Sequence, residues 1–152
     1  MQQITHFVTI GASPERVFWA LTTLEGLSGW WTERASIDGP FDGVLKFQFL
    51  PDFNPSMEVI EAEENLRVKW KCVSGHTAWR DSEFRFDLMY APAGEVRADP
   101  NLTQVLFRQT FAFELDMELY GMYNYNWGHY LTSLKALCET GTGQPYVSPA
   151  PR

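Results

Sequence analysis

Hydrophobic residues change their spacing twice along the chain, and each change predicts a different kind of secondary structure. Residues 4–10 are rich in β-branched side chains and predict a strand. Ser13 and Pro14 then suit the N-cap and the first position of a helix. Because glycines interrupt the residues that follow, this helix is expected to be short. Either a second brief helix or a turn should carry Trp30 and Trp31.

Between residues 35 and 115 the hydrophobic period becomes two, which is typical of strands with one buried face. The short connections between these strands favour antiparallel pairing. The side chains predicted to face inward are Leu45, Phe47, Phe49, Leu66, Val68, Trp70, Cys72, Phe84, Phe86, Leu88, Val105, Phe107, Gln109, Phe111 and Phe113. The residues predicted to face outward include Arg67, Lys69, Lys71, Arg85, Asp87 and Met89.

The last periodic segment runs from about residue 118 to about residue 140 and has the period of a long helix. Gly141 is predicted to end it, and Pro145 prevents it from resuming. Its apolar stripe comprises Tyr120, Tyr123, Trp127, Leu131, Leu134 and Cys138. A helix with one apolar stripe needs one sheet to lie on. Because a curved sheet cannot contact a straight helix along its whole length, we expect a cavity between them, facing Tyr123 and Trp127.

Composition and charge narrow the class of protein. With 152 residues, of which 45% are hydrophobic and 20% charged, residues 1–152 are expected to form a single globular domain. Aromatic residues reach 15%, which fits either an apolar ligand site or a core rich in rings. The net charge of −7 argues against binding to nucleic acid or to anionic membranes.

Targeting and redox signals favour a cytoplasmic location. The N-terminal residues lack the basic and apolar regions of a signal peptide, and no apolar run is long enough to span a bilayer. Cys72 and Cys138 have no CxxC spacing, so we expect two buried, reduced thiols.

No motif for catalysis, metal binding or cofactor binding is present, so no cofactor, metal ligand or catalytic residue is predicted. His129 should lie on the outer side of the long helix, and His76 falls in a turn. His6 shares the parity of the inward residues of the first strand. Gln109 interrupts an inward apolar run, and a buried amide requires a partner. That partner could be a neighbouring side chain, a trapped water or a ligand.

Three stretches together resemble a known family. They are residues 12–32 (ASPERVFWALTTLEGLSGWWT), residues 66–79 (LRVKWKCVSGHTAW) and residues 127–145 (WGHYLTSLKALCETGTGQP). They are similar to the activator of heat-shock-protein ATPase homologue-like proteins of the START-like (SRPBCC) superfamily, which also contains polyketide cyclases and lipid-transfer proteins. The resemblance spans nearly the whole chain. It departs from the family in the last strand, where Gln109 takes a position at which relatives often carry a histidine, and Phe111 a position at which glycine is common.

The resemblance implies an α+β helix-grip fold, in which a curved antiparallel sheet of about six or seven strands wraps around the C-terminal helix. Two short helices would follow the first strand. It also implies a deep apolar pocket between helix and sheet. The predicted ligand-binding residues are Phe47, Phe49, Trp70, Phe84, Phe86, Phe107, Tyr123 and Trp127, with Trp31 near the mouth and Gln109 and Tyr120 orienting the ligand.

Three functions fit these observations. The first is a binding protein for an apolar or aromatic small molecule. The second is an enzyme of the cyclase, dehydratase or hydrolase type, for which His6, Tyr123 or a loop aspartate would be the only titratable candidates. The third is a chaperone-associated or stress-related interaction module. The expected partners are accordingly an apolar ligand, a chaperone or a second copy of the chain.

Overall fold

The computed structural model describes residues 2–38, 43–50, 53–89 and 100–147. Within these residues, seven strands, three α-helices and one short 3-10 turn follow one another. The elements, in chain order, are β1 (Gln3–Ile10), α1 (Pro14–Thr22), α2 (Leu24–Trp30), β2 (Ala35–Asp38), β3 (Val44–Phe47), β4 (Ser56–Glu63), β5 (Arg67–Ser74), the 3-10 turn (Thr77–Trp79), β6 (Glu83–Met89), β7 (Thr103–Thr110) and α3 (Met117–Thr140).

The seven strands form one antiparallel sheet in the order β1-β7-β6-β5-β4-β3-β2. Strand β1 pairs with β7, so the first strand closes against the last and β2 forms the far edge. Strands β2 to β7 otherwise follow the chain, as short connections require. The long helix α3 lies against the inner face of the sheet. The predicted α+β helix-grip fold, with two short helices after the first strand, is confirmed.

The helix ends follow the capping chemistry that the sequence predicts. The Ser13 hydroxyl accepts a hydrogen bond from the Arg16 amide (3.2 Å) at the start of α1. The Asp116 carboxylate accepts one from the Leu119 amide (2.9 Å) at the start of α3. Gly141 ends α3 with φ of 86°, a left-handed conformation that favours glycine.

Alternation correctly predicts most of the inner face. Of the fifteen side chains predicted to point inward, thirteen are buried. Leu66 is instead exposed, because it precedes β5 and sits in the turn that enters it. Phe113 is half exposed, because β7 ends at Thr110 and the period of two does not continue beyond it.

The outer face of the sheet buries a charge. Asp87 accepts hydrogen bonds from Arg67 Nε (2.7 Å), Arg85 Nε (2.7 Å) and Arg108 Nη2 (3.0 Å), and its side chain is 10% exposed. Burial alone would raise the pKa of Asp87, but the three arginines outweigh it and lower the pKa from 3.8 to about 2. Asp87 therefore faces outward as predicted, yet it is covered by its own ion-pair partners.

Candidate ligand-binding pocket

A pocket of about 210 Å³ opens to solvent where the N-terminal half of α3 meets the loops at one end of the sheet. Aromatic rings make up most of its wall. The lining residues are Trp31, Phe49, Leu50, Phe53, Trp79, Tyr123, Asn126, Trp127, His129, Tyr130 and Tyr146. No described lining residue carries a permanent charge, so the pocket suits an apolar, uncharged molecule.

The short helix α2 places Trp31 at the base of this pocket. The Thr23 hydroxyl caps α2 by accepting a hydrogen bond from the Gly26 amide (3.0 Å). A Cβ atom on Gly26 would lie 2.5 Å from Ala20 Cα, so only glycine allows α2 to pack this closely on α1. At the other end, the Tyr146 amide donates to the Trp31 carbonyl (2.8 Å). The backbone of Trp31 is therefore fixed from both sides.

Phe49, Leu50 and Phe53 supply the opposite wall. The Phe53 amide donates to the Leu50 carbonyl (3.0 Å), and the Phe49 amide donates to the Phe53 carbonyl (3.1 Å). The Phe53 ring then packs edge-on against His76 (centroids 4.4 Å apart) and Trp79 (4.9 Å apart). These hydrogen bonds and ring contacts place Leu50 at the rim, where it is 56% exposed.

Tyr123 separates the pocket from a second, more open groove, which is lined by the loop before the 3-10 turn. Its hydroxyl and His76 Nε2 share a hydrogen bond of 2.5 Å. Either the phenol donates to an unprotonated nitrogen, or the imidazole N–H donates to the phenol oxygen. His76, which the sequence places in an ordinary turn, thus anchors a pocket residue of helix α3.

Two tyrosines of the pocket, Tyr123 and Tyr130, have raised pKa values. Burial, and secondarily the charge of Asp116, raises the pKa of Tyr123. Burial, and secondarily Tyr146, raises the pKa of Tyr130. Their hydroxyl groups can therefore donate and accept hydrogen bonds to a ligand, but they do not present it with a negative charge.

The structure divides the eleven residues predicted to bind a ligand into three groups. Four line the pocket, namely Trp31, Phe49, Tyr123 and Trp127. Six lie in the buried ring layer beneath it, namely Phe47, Trp70, Phe84, Phe86, Phe107 and Gln109. Tyr120 lies nearer the N-terminus of α3, outside the pocket. Its hydroxyl donates to the Gln3 carbonyl (2.8 Å), and its ring neighbours Phe111.

The expectation that α3 stands away from the sheet at Trp127 is wrong. The Trp127 ring lies 4.2 Å from Phe107 of β7, and its Nε1–H donates to Gln109 Oε1 (2.8 Å). The partner that Gln109 requires is therefore a neighbouring side chain, although its Nε2 has no hydrogen-bond partner. The space that curvature would leave is occupied by the Trp31 ring.

The three histidines occupy different settings. His129 is exposed on the outer side of α3, as predicted, but its position also makes it part of the pocket rim beside Tyr130 (centroids 4.9 Å apart). His6 faces α3, and its Nε2–H donates to Asn124 Oδ1 (2.9 Å). Of the hydrogen bonds described for these three histidines, the one from His76 alone reaches a pocket residue, Tyr123.

Sequence reasoning missed most of the outer wall, namely Leu50, Phe53, Trp79, Asn126, His129, Tyr130 and Tyr146. These residues come from turns, from the C-terminal tail or from the flank of α3, where no hydrophobic period applies. The one available signal was the density of aromatic side chains within such irregular segments, since exposed turns seldom carry several rings.

Within the described part of the chain, other kinds of site are not seen. Among the described residues, no group of three or more His, Cys, Asp or Glu side chains could hold a metal ion. Cys72 and Cys138 are buried, unpaired thiols, and burial raises their pKa values to about 11 and about 12. No helix within the described ranges is long and apolar enough to cross a membrane.

Several proteins of known structure are similar to this chain. The chain is 28% identical to the protein in a solution structure of the Aha1 dimer from Colwellia psychrerythraea, with a TM-score of 0.76 over 94% of this chain and 100% of that one. A conserved protein of unknown function from Enterococcus faecalis is 21% identical, with a TM-score of 0.69 over 97% of this chain and 77% of that one.

A third relative, DynU16 of the dynemicin biosynthetic locus, is 14% identical, with a TM-score of 0.68 over 94% of this chain and 49% of that one. These two more distant structures share the fold alone. Among curated protein sequences, none matches the chain. The sequence profile described as "Activator of Hsp90 ATPase homolog 1-like protein" matches residues 11–139. The chain therefore belongs to the Activator of Hsp90 ATPase homolog 1-like family.

Proposed function

We propose that this protein binds an uncharged aromatic small molecule in the pocket beside the N-terminal half of α3. The observation that carries the proposal is a half-open pocket of about 210 Å³ walled by aromatic rings. An apolar cavity of about 150 Å³ is large enough to hold benzene, so this pocket suits one or two fused rings. Its size falls below the roughly 300–1,000 Å³ typical of drug-sized ligands.

Polar groups at the edge of the pocket would orient the ligand. Tyr130 and Tyr146 contribute hydroxyl groups, and Asn126 contributes an amide. A ligand with one hydroxyl or carbonyl group could bond to these while its rings stack on Trp31 or Trp79. Because both cysteines are unpaired thiols, we further propose that the protein works in a reducing compartment such as the cytoplasm.

The test uses 1-naphthol, a two-ring compound with one hydroxyl group, titrated into the protein and followed by NMR chemical shifts. The matched variants are Leu50→Ser, which alters the rim, and Leu66→Ser, which removes an equally apolar side chain that is 42% exposed and lies away from the pocket. We expect Leu50→Ser to weaken binding about fivefold through lost apolar contact, and Leu66→Ser to leave it unchanged. Absent binding to the wild type, or equal weakening in both variants, would overturn the proposal.

A second candidate function is acid–base catalysis on the bound molecule, and the hydrogen bond between Tyr123 and His76 favours it. If the Tyr123 phenol transferred its proton to a ligand carbonyl oxygen while a water molecule took the α-proton, an enol and a phenolate would form. In D₂O the phenolate would take back the enol O–H proton as the solvent delivers a deuteron to the α-carbon, so the α-hydrogens of a two-ring ketone such as 1-tetralone would exchange, which NMR detects. Exchange no faster with wild type than with Tyr123→Phe would exclude this function.

A further proposal concerns partners. Because the Colwellia relative is described as a dimer, we propose that this chain also forms a homodimer. Exposed apolar side chains on α3, Met117, Met122 and Tyr125, offer a surface for it. Analytical ultracentrifugation should show a dimer that Tyr125→Glu dissociates and Phe7→Glu, an exposed ring on β1, does not. A wild type that sediments as a monomer would overturn it.

Because the family is described as activators of the Hsp90 ATPase, we also propose that this protein contacts a chaperone. Purified Hsp90 should hydrolyse ATP faster when the protein is added. A rate that stays unchanged across a titration to saturating protein would exclude activation.

A further inference from the structure

Trp31 fills the centre of the molecule between the sheet and helix α3. Its ring stacks on Trp70 of β5 (centroids 5.7 Å apart, planes at 15°) and on Trp127 of α3 (5.3 Å, 30°). It also contacts Phe47 at 4.4 Å. Trp31 also lines the pocket described above, which we call the rim pocket, and it is buried there with 1% of its surface exposed. Trp31 is therefore the wall between that pocket and the Phe47 and Trp70 rings of the deep layer.

The position of Trp31 does not depend on its ring. Its amide donates to the Leu27 carbonyl (3.0 Å), and its carbonyl accepts from the Tyr146 amide (2.8 Å). The neighbouring Thr32 hydroxyl donates to the Gln48 carbonyl (2.7 Å). Because these bonds belong to the backbone and to Thr32, a smaller side chain at position 31 would leave the ring's volume as space rather than draw the chain inward.

The space so created would be apolar. The rings that now touch Trp31 from the inside are Phe47, Trp70 and Trp127, all buried. A space lined mainly by such rings favours apolar molecules over water. It would join the rim pocket, since Trp31 already lines that pocket.

We infer that Trp31 sets the upper size limit of the ligand, so that the protein accepts one- or two-ring neutral aromatic molecules and excludes sterol-sized or long-chain lipids. This inference rests on the proposed binding function, and it names the ligand class. The Trp31 ring occupies the path that a longer molecule would need between helix and sheet. Of the deep residues that the sequence predicted as pocket lining, Phe47 and Trp70 lie directly behind the Trp31 ring.

The test compares two probes that share one hydroxyl group and differ in ring number, 1-naphthol and 1-hydroxypyrene. The wild type should bind 1-hydroxypyrene at least about tenfold more weakly than 1-naphthol, because the larger molecule would overpack the pocket. Trp31→Ala should reverse this preference. Trp31→Leu keeps more of the buried apolar surface, so it tests the same point with a smaller loss of stability, and it should bind 1-hydroxypyrene more tightly than the wild type does.

The control is Trp30→Ala. Trp30 is equally buried, stacks on Trp31 (5.7 Å) and donates from Nε1 to the Ala20 carbonyl, but it does not line the pocket. A gain in 1-hydroxypyrene binding in Trp30→Ala as large as in the Trp31 variants would show general loosening and overturn the inference. So would equal affinity of the wild type for both probes, or no gain in either Trp31 variant. Failure of the wild type to bind 1-naphthol would instead overturn the binding function itself.

Discussion

The two faces of the sheet bury side chains by opposite physical means. The inner face stacks rings, with Trp31 held between Trp70 and Trp127, and its stability comes from apolar area and dispersion contacts. The outer face buries one carboxylate, Asp87, beneath three arginines. The first arrangement depends little on pH or salt, whereas the second depends on the ionisation of a single group. Substitutions on the two faces should therefore differ in how much they lower the free energy of unfolding and in how that loss depends on pH.

The largest effect is expected from Trp127→Ala on the inner face. It removes a fully buried ring and deprives Gln109 of its hydrogen-bond donor, so the free energy of unfolding should fall by about 4 kcal/mol. Urea denaturation followed by circular dichroism measures this loss. The loss should be the same at pH 7 and pH 5, because no titratable group takes part. A loss below about 1 kcal/mol would show that the Trp127 ring contributes little to the stability of the core.

On the outer face, Asp87→Asn should cost about 2 kcal/mol at pH 7, the size implied by the lowered pKa. Because the folded-state pKa lies below the ordinary value of 3.8, ionised Asp87 stabilises the fold above that pH. The contribution disappears as the pH falls from 3.8 to about 2. Denaturation curves across that interval should show the wild type and Asp87→Asn converging. Parallel curves would mean that the ion pairs contribute nothing.

A smaller effect is expected from Tyr123→Phe, which removes the hydroxyl hydrogen-bonded to His76 and keeps the ring. The free energy of unfolding should fall by about 1 kcal/mol, the usual contribution of one such bond. The ring contact with Trp79 (centroids 5.5 Å apart) remains. Thermal unfolding of the variant beside the wild type measures the change. An effect as large as that of Trp127→Ala would show that the hydroxyl, not the ring, holds α3 at this point.

The smallest effect is expected from Glu63→Gln, the matched control for Asp87→Asn. Both carboxylates pair with Arg67, but the Glu63 side chain is 52% exposed, whereas that of Asp87 is 10% exposed. A solvent-exposed pair contributes at most about 0.5 kcal/mol. Equal losses from the two substitutions, measured by the same denaturation at pH 7, would mean that burial does not distinguish these ion pairs.

Regular periodicity made most of the fold predictable. The bounds of α3 fall within one residue of those expected, because Gly141 and the apolar stripe both mark the helix. The strands failed only at their ends, at Leu66 and Phe113, where the pattern continues in sequence after pairing has stopped. A period of two indicates which side chains lie on the same face of a strand, but it does not indicate where the partner strand ends.

The candidate pocket was much less predictable. Tyr123 and Trp127 were identified because they lie on a periodic helix stripe. Phe53 and Tyr146 come from a turn and from the C-terminal tail, and only the packing of those segments on Phe49 brings them together. Local sequence carries no signal for such distant contacts.

By itself, the sequence determined an antiparallel sheet, the long helix, the burial of one face and the outward position of Asp87, because these follow from local periodicity and capping. Only the tertiary structure decided that the ring of Trp31 occupies the space between helix and sheet. That outcome depends on how closely α2 approaches α1 at Gly26, and on where the backbone of Tyr146 fixes Trp31. The depth of a cavity is a property of packing among distant segments, and periodicity does not record it.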